Sequence, residues 1–455
     1  MKLATKKLLG SAIFGLAVTS AVPSYAANDT LKGLIKIMHE NGQINDAQYE
    51  TLIEGAENDV KSSVSPEMEK TLKSLPIVTM KGKFKLESQD GQHAFQPIGR
   101  IFWDSVQSNE EGVSEVNEGT ELRRVRLGFQ AQFFKSWNAK LEYDFAGSDA
   151  ELKDGWISYN NKFSNGSKYN VKLGQHHVPF GFNTISSSKY MSFLRRPLFA
   201  DGPLSPARQV GVAFRVDADR YLVHAGAYQD EQDGGETHLG GDGKRTYSIR
   251  VAGTPWKQDK THLFHAGVSL MHMDLNDNRL RVRQRAISHL DDRIFNTNNF
   301  AVADVKDVNA FDVELLGIYG SFHALGEYVN YSLDNAGTGA DDLSAWSAEF
   351  GYFLTGESMK YKKGQFSGVS PKSPFMNGRG LGAWQVVARY ENMDLNGGTT
   401  IGGDGDVVSL GVNWTPIKNV RFLGTWNKLV SFDKPGNIND GKKPSSLSLR
   451  ALVYW

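Results

Sequence analysis

Cysteine is absent from the 455 residues, and only 14 are proline. Without cysteine there is neither a disulfide staple nor a thiolate metal site. An exported chain of this kind must hold together through a core or a closed hydrogen-bonded sheet. Neither sign of charge dominates, since 51 Lys and Arg stand against 51 Asp and Glu. Such a balance offers no bulk field for nucleic acid, so any preference for anions must come from where single charges sit. Beyond the first residues no stretch reaches the ~18 to 20 consecutive apolar positions of a membrane helix. Hydrolase signatures are missing as well: there is no G-x-S-x-G and no H-E-x-x-H. His176-His177, His262, His265 and His272 have no carboxylate at ligand spacing in the sequence and read as ordinary strand or loop histidines. Asp341-Asp342 and the pair Asp404 and Asp406 read as solvated acids, with a loop calcium as the alternative. No catalytic residue, metal or cofactor is expected, and the chain does not read as an enzyme.

What is present begins with an export signal. Lys2, Lys6 and Lys7 precede the apolar run Leu8 to Val22, and Ser24-Tyr25-Ala26 puts small residues at −3 and −1 of a cleavage site. Residues 1–26 therefore read as a signal peptide. Residues 27–76 read as a short helical segment on the periplasmic side. Leu31, Leu34, Ile35 and Met38 recur at helical spacing, Asn41-Gly42 breaks the pattern, and Asn45-Asp46 can cap a second helix carrying Tyr49, Leu52 and Ile53. The segment is a solvated extension or a short coiled coil; its heptads are broken.

From about residue 93 the period becomes two. Val125, Leu127, Phe129, Ala131 and Phe133 share one face, and Arg124, Arg126, Gly128, Gln130 and Gln132 the other. The chain carries 25 Phe, 16 Tyr and 9 Trp, gathered at strand ends as interfacial girdles require. About sixteen strands can be placed, roughly at 95–107, 121–134, 137–146, 153–161, 168–176, 207–216, 221–229, 244–255, 263–273, 310–319, 320–332, 343–355, 381–393, 405–415, 419–430 and 446–455. Tight turns at 135–136, 217–219 and 416–418 alternate with long connections at 177–206 and 274–309. One connection, 356–380, is long on the short-turn side. The chain closes on an alternating strand ending in Trp455, although Phe is commoner at such an end. The expected fold is all-β: a sixteen-stranded antiparallel transmembrane β-barrel over 77–455, with a short N-terminal helical extension.

Positive charge concentrates in three places. In Arg123-Arg124-Val125-Arg126, alternation sends Arg124 and Arg126 inward, while Arg123 needs a bulge or a position above the hydrocarbon, because a guanidinium in mid-hydrocarbon costs ~2–4 kcal/mol. Arg279, Arg281, Arg283 and Arg285 alternate in a long external connection, ~6.6 Å apart if extended; the bland reading is a solvated loop meeting lipopolysaccharide phosphates or nothing. The third is the 177–206 loop with Lys189, Arg195 and Arg196, long enough to fold inward and narrow the pore. Arginine suits the task, since it stays charged and presents a planar fork to phosphate or carboxylate oxygens.

The barrel region resembles the phosphate-selective porins O and P of bacterial outer membranes. The matching pieces are Gly99-Arg100, Arg123-Arg124, the WNAKLEYDFAG stretch at 137–147, Phe180-Gly181 with Ser186-Ser187-Ser188-Lys189, and Leu354-Thr355-Gly356-Glu357. Gly382-Ala383-Trp384 with Arg389-Tyr390, and Gly411-Val412-Asn413-Trp414, extend the match. The resemblance implies a homotrimer of sixteen-stranded barrels with an inward third loop and an arginine ladder. Arg100, Arg123 and Arg124 look like ladder or constriction residues; Arg281, Arg283 and Arg285 match the alternating arginines of the fifth loop; Ser187 and Arg196 look like members of the binding zone. Two departures stand out. Thr184 replaces a lysine of phosphate-specific members, and His289 replaces a further ladder arginine. The expectation is a passive Gram-negative outer-membrane channel for small anions, phosphate or a related oxyanion such as pyrophosphate, lined by Arg100, Arg123, Arg124, Arg126, Ser187, Lys189, Arg196, Arg281, Arg283 and Arg285. Its other partners would be outer-membrane lipid and lipopolysaccharide. The alternatives are a general or organic-solute porin, a barrel enzyme, and an adhesin.

Overall fold

Alternating side chains force a sheet with one apolar face, and in lipid such a sheet must leave no unpaired edge. The computed structural model shows the outcome. It describes residues 22–63, 71, 74–80, 82–110, 116–200, 202, 204–229, 244–275, 280–297, 305–335, 339–376, 378–398 and 400–455. The expected leader up to residue 21, and Arg279, lie outside them.

The chain divides into two units, Met1–Ile77 and Val78–Trp455. The first holds helices α1 (Val22–Glu40) and α2 (Asp46–Ser63). The cap read from the sequence forms: the Asn45 and Gln48 side chains each accept the other's backbone N–H, at 2.9 and 3.0 Å, a reciprocal box that satisfies two helix-end donors. Ile35 and Ala56 are buried within this unit, while Leu31, Leu34, Ile37 and Leu52 stay exposed.

The second unit is a barrel of sixteen antiparallel strands: β1 (Ala94–Asn109), β2 (Gly119–Phe133), β3 (Trp137–Asp144), β4 (Glu151–Lys162), β5 (Lys168–His177), β6 (Arg208–Asp217), β7 (Tyr221–Gln229), β8 (Arg245–Lys257), β9 (His262–Asp274), β10 (Val305–Tyr319), β11 (Phe322–Asn335), β12 (Gly339–Phe353), β13 (Ala383–Gly397), β14 (Thr400–Ile417), β15 (Val420–Asp433) and β16 (Ser445–Tyr454). Closure is made by β16 against β1, from Ser445 opposite Asn109 to Tyr454 opposite Arg100. Trp455 then exchanges backbone bonds with Gly99 at 3.1 and 3.3 Å. Every strand expected from the sequence is present. Several run further at the long-loop end than expected, β10 from Val305 and β14 from Thr400. There the outward positions include the polar Asp404 and Asp406, which break the apolar alternation by which a strand is recognised.

The outer face is apolar at mid-height, with Val251, Val268, Leu270, Val313 and Leu315 exposed. Exposed aromatics crowd the short-turn rim: Phe133, Phe134, Trp137, Tyr221, Trp256, Tyr319, Phe322 and Tyr352. Trp384, Trp414 and Phe422 stack in a row there, with centroids 5.6 and 5.4 Å apart. This is the interfacial belt that amphipathic rings form at a membrane boundary.

Placing a charge on that outer face has a cost set by depth. Val268→Arg, at mid-height, should destabilise the folded barrel by about 2–4 kcal/mol, read as a lower urea midpoint for the heat-modifiable folded band. The lumen-side Gln132→Arg should leave that midpoint unchanged.

Candidate functional site

The same parity that turns valine and leucine outward turns the charges of β1 to β6 inward. Arg100 donates to Glu142 at 2.6 Å, and Lys140 donates to both Glu142 and Asp154 at 2.7 and 2.8 Å. Arg208 reaches Asp154 at 3.3 Å, while Arg126 donates to Asp144 at 2.8 Å with Arg124 4.0 Å from the same carboxylate. Each of the three acids thus sits between two cations. Of the two placements open to Arg123, the structure shows the bulge. Phe102 pairs with Arg124 and Trp103 with Leu122, so Arg123 is the extra residue, and it lies close enough to Glu121 and His289 to act on both electrostatically. Among the described residues, Arg123, Lys172 and Lys189 have no carboxylate partner within 4.0 Å. Lys172 instead lies 4.6 Å over the Trp156 ring.

The long connection between β5 and β6 (residues 178–207, here L3) folds into the barrel, as expected, and the opposite wall holds it. Glu327 on β11 accepts the backbone N–H groups of Phe182 and Asn183 at 2.8 and 3.1 Å and the Asn183 amide at 2.5 Å. Gly181 is needed at this contact. Its φ is +69°, and a Cβ there would stand 2.5 Å from the Glu327 carboxylate. Among the described residues, Asp312, Glu314 and Glu327 are the one trio of acids spaced like metal ligands. Glu314 is already paired with Arg250 and with His265, and Glu327 with the loop, so of the three it is Glu327 that anchors L3.

Further along L3, wall side chains donate to its carbonyls: Arg389 to Arg195 at 3.1 Å, Asn413 to Ser192 at 2.8 Å, Arg450 to Leu194 at 2.8 Å and Arg421 to Lys189 at 2.7 Å. Arg195 pairs with Glu391 at 2.5 Å. Arg196, expected in the binding zone, is turned into the loop itself, where it donates to the carbonyls of Asn183 and Ser186 at 2.9 and 2.8 Å. Ser187 is half-buried, and its carbonyl accepts the Tyr190 N–H at 2.9 Å. Thr184 is buried in the short helical turn Phe182–Ile185.

The connection between β9 and β10 (L5) also enters the mouth. Val282, Ala286, Ile287 and Phe295 share one apolar cluster with Leu198 and Phe199 of L3 and with the inner faces of β9 to β15. On the opposite side of this segment Arg281 is exposed, while Arg283 and Arg285 are half-buried. Lys434, beyond β15, donates to the carbonyls of Ile294 and Asn296 at 3.2 and 2.8 Å. The loop tip reaches across to β2: His289 Nδ1 lies 2.9 Å from Glu121, and Asn117 donates to Asp291 at 3.1 Å. Burial lowers the His289 pKa, as does Arg123, against the pull of Glu121, so at neutral pH this imidazole adds no fixed charge.

The anomalous connection on the short-turn side, residues 354–382, folds up into the lumen. Its hairpin, Lys360–Lys362 against Gln365–Ser367, offers the Gly364 carbonyl to Arg250 at 2.8 Å and the Lys363 carbonyl to Arg215 at 3.0 Å. Tyr361 meets His265 at 2.9 Å, and the Phe366 ring stands edge-on to Phe182 of L3 at 4.8 Å. Loops from one end and a hairpin from the other therefore fill the β8 to β16 side, leaving the charged faces of β1 to β6 as the remaining wall.

Sequence reasoning missed Lys140, Glu142, Asp144, Asp154, Lys172 and Arg208. The signal was available in part, since 138, 140, 142 and 144 share the inward parity of β3. Replacing 360–367 by a short Gly-Ser turn should raise single-channel conductance in planar bilayers; unchanged conductance would take this hairpin out of the path.

Residues 95–455 match the family described as phosphate-selective porin O and P. A relative from Caulobacter vibrioides, an uncharacterized protein, is 28% identical over 375 residues, which is 79% of this chain and 73% of that one. Among solved structures, OmpT of Vibrio cholerae, an outer membrane protein, superposes with a TM-score of 0.52 at 15% identity, covering 80% of this chain and 98% of that one. Its trimer form gives 0.50 at 15% identity, covering 80% and 99%. At such identities the likeness concerns the fold alone. The family match spans the whole strand system and the charged wall just described, and on that ground the chain belongs to the phosphate-selective porin O and P family and forms an outer-membrane porin channel.

Proposed function

We propose that the channel passes small anions passively in preference to cations, with phosphate or a related oxyanion such as pyrophosphate as its solute. The single observation that carries the reading is the excess of inward cations over acids along β1 to β6 and L3 among the described residues, with Arg123, Lys172 and Lys189 left without a carboxylate within 4.0 Å. Arg281, Arg283 and Arg285 at the mouth add a partly hydrated row that an anion can step along, each contact worth roughly 1–3 kcal/mol. Thr184 and His289, where phosphate-specific relatives carry cations, weaken the centre and favour anion preference over strict phosphate selection. The Vibrio cholerae neighbour has a trimer form, and a homotrimer embedded in outer-membrane lipid and lipopolysaccharide is our reading here too. Residues 1–26 would be removed on export, leaving 27–76 in the periplasm.

A second reading has its own support. Glu142, Asp144 and Asp154 cancel much of the wall's charge, which suits a porin for organic solutes without phosphate selectivity. Reversal potentials in asymmetric KCl should give anion selectivity, phosphate in the millimolar range should block the small-ion current, and Arg124→Ala and Arg283→Ala should each lessen both effects. Cation selectivity would end the leading reading. Chloride current indifferent to phosphate but reduced by a dicarboxylate would favour the second.

A further inference from the structure

L3 folds back on itself at Ser187 to Tyr190, and the side chain at that bend is Lys189. Its carbonyl accepts from Arg421 on β15 at 2.7 Å. Its ammonium lies 5.4 Å from the Tyr190 ring and 5.2 Å from the Tyr454 ring, close enough for cation–π attraction. Among the described residues no carboxylate stands within 4.0 Å of it. The charged groups that face it from the wall are Arg100 on β1, Arg126 on β2, and Lys140 and Glu142 on β3, with Glu142 already taken by Arg100 and Lys140. The neighbouring wall charges are neutralised pair by pair; Lys189 is an uncompensated one, placed where the loop approaches that wall.

Arg421 is the unusual partner. It is buried, and among the described residues its guanidinium meets no carboxylate within 4.0 Å; it donates to a main-chain carbonyl. A buried guanidinium used this way fixes where the loop lies, because losing the bond would leave a charge and a carbonyl unsatisfied. We propose that Lys189 is the specificity-determining cation of this channel and that Arg421 is the residue that positions it, an inference that rests on the anion-channel reading above.

The reading has a signature. Burial, and then the Arg100 guanidinium, push the Lys189 pKa down to about 7. Arginine as a residue type stays charged throughout the neutral range, and tyrosine phenols ordinarily titrate near ~10. Lys189 is thus a group of L3 whose charge fades as pH rises through neutrality, and the anion preference should fade with it.

The test uses the full-length porin in planar bilayers, with chloride-to-potassium permeability ratios taken from reversal potentials at pH 6 and pH 8.5. The wild-type ratio should drop about threefold between them. K189R should hold the pH 6 value at both, and K189M the low value at both. R421M should lower the ratio at pH 6, and R421K, which keeps a donor, should restore it. A K189M channel with the wild-type ratio at both pH values, or a K189R channel that keeps the full pH dependence, overturns the assignment of Lys189. A wild-type ratio and pH profile in R421M overturns the role of Arg421. Cation selectivity of the wild type at both pH values would instead remove the anion-channel reading itself.

Discussion

Peptide groups inside a hydrocarbon layer have no water to bond, and this constraint organises the molecule. It is satisfied when the first and last strands meet, Tyr454 beside Arg100 and Trp455 on Gly99. Once the seam is closed, each residue points either to lipid or to the lumen. Val268 and Leu315 go one way; Arg126, Lys140 and Glu142 go the other. The channel's chemistry is therefore a by-product of strand parity, and the lumen receives whatever the lipid face would not tolerate.

The lumen then solves a second problem, which is to keep so much charge from collapsing or sealing the pore. On β1 to β6 the acids Glu142, Asp144 and Asp154 separate the cations and hold their side chains against the wall. On the far side the polar groups are turned to structural work, and Glu327, Arg389, Arg421 and Arg450 bond the backbone of L3. Arginine thus serves two ends in one barrel, and only the pairing of each guanidinium tells which.

Much of the architecture could be read from the sequence, because a period of two with aromatic ends is a local property. That Arg123 could not sit in mid-hydrocarbon was legible for an energetic reason, since three arginines in four residues cannot alternate without one facing lipid; that a bulge, rather than height above the hydrocarbon, met the need was not. The length of L3 allowed an inward course, and the family resemblance implied one. The pairing of Arg100 with Glu142 was not legible, since it depends on how β1, β2 and β3 slide past one another. Arg196 carried a charge that resembled a binding group, yet its donors are taken by Asn183 and Ser186, a fact of loop conformation alone. The hairpin at 360–367 was visible as an oddly long turn, and nothing in its composition said that it would climb into the bore.

The clamp on L3 also bears on how the protein is made. Its donors lie 194, 221, 232 and 256 residues downstream of the carbonyls they hold. During synthesis and export the loop must wait, its carbonyls unclaimed, until nearly the whole chain has followed. Contacts so distant along the chain are slow to form. The innermost part of the pore is accordingly finished only when β13 to β16 arrive, and a chain truncated before them would be left with strands but no defined passage.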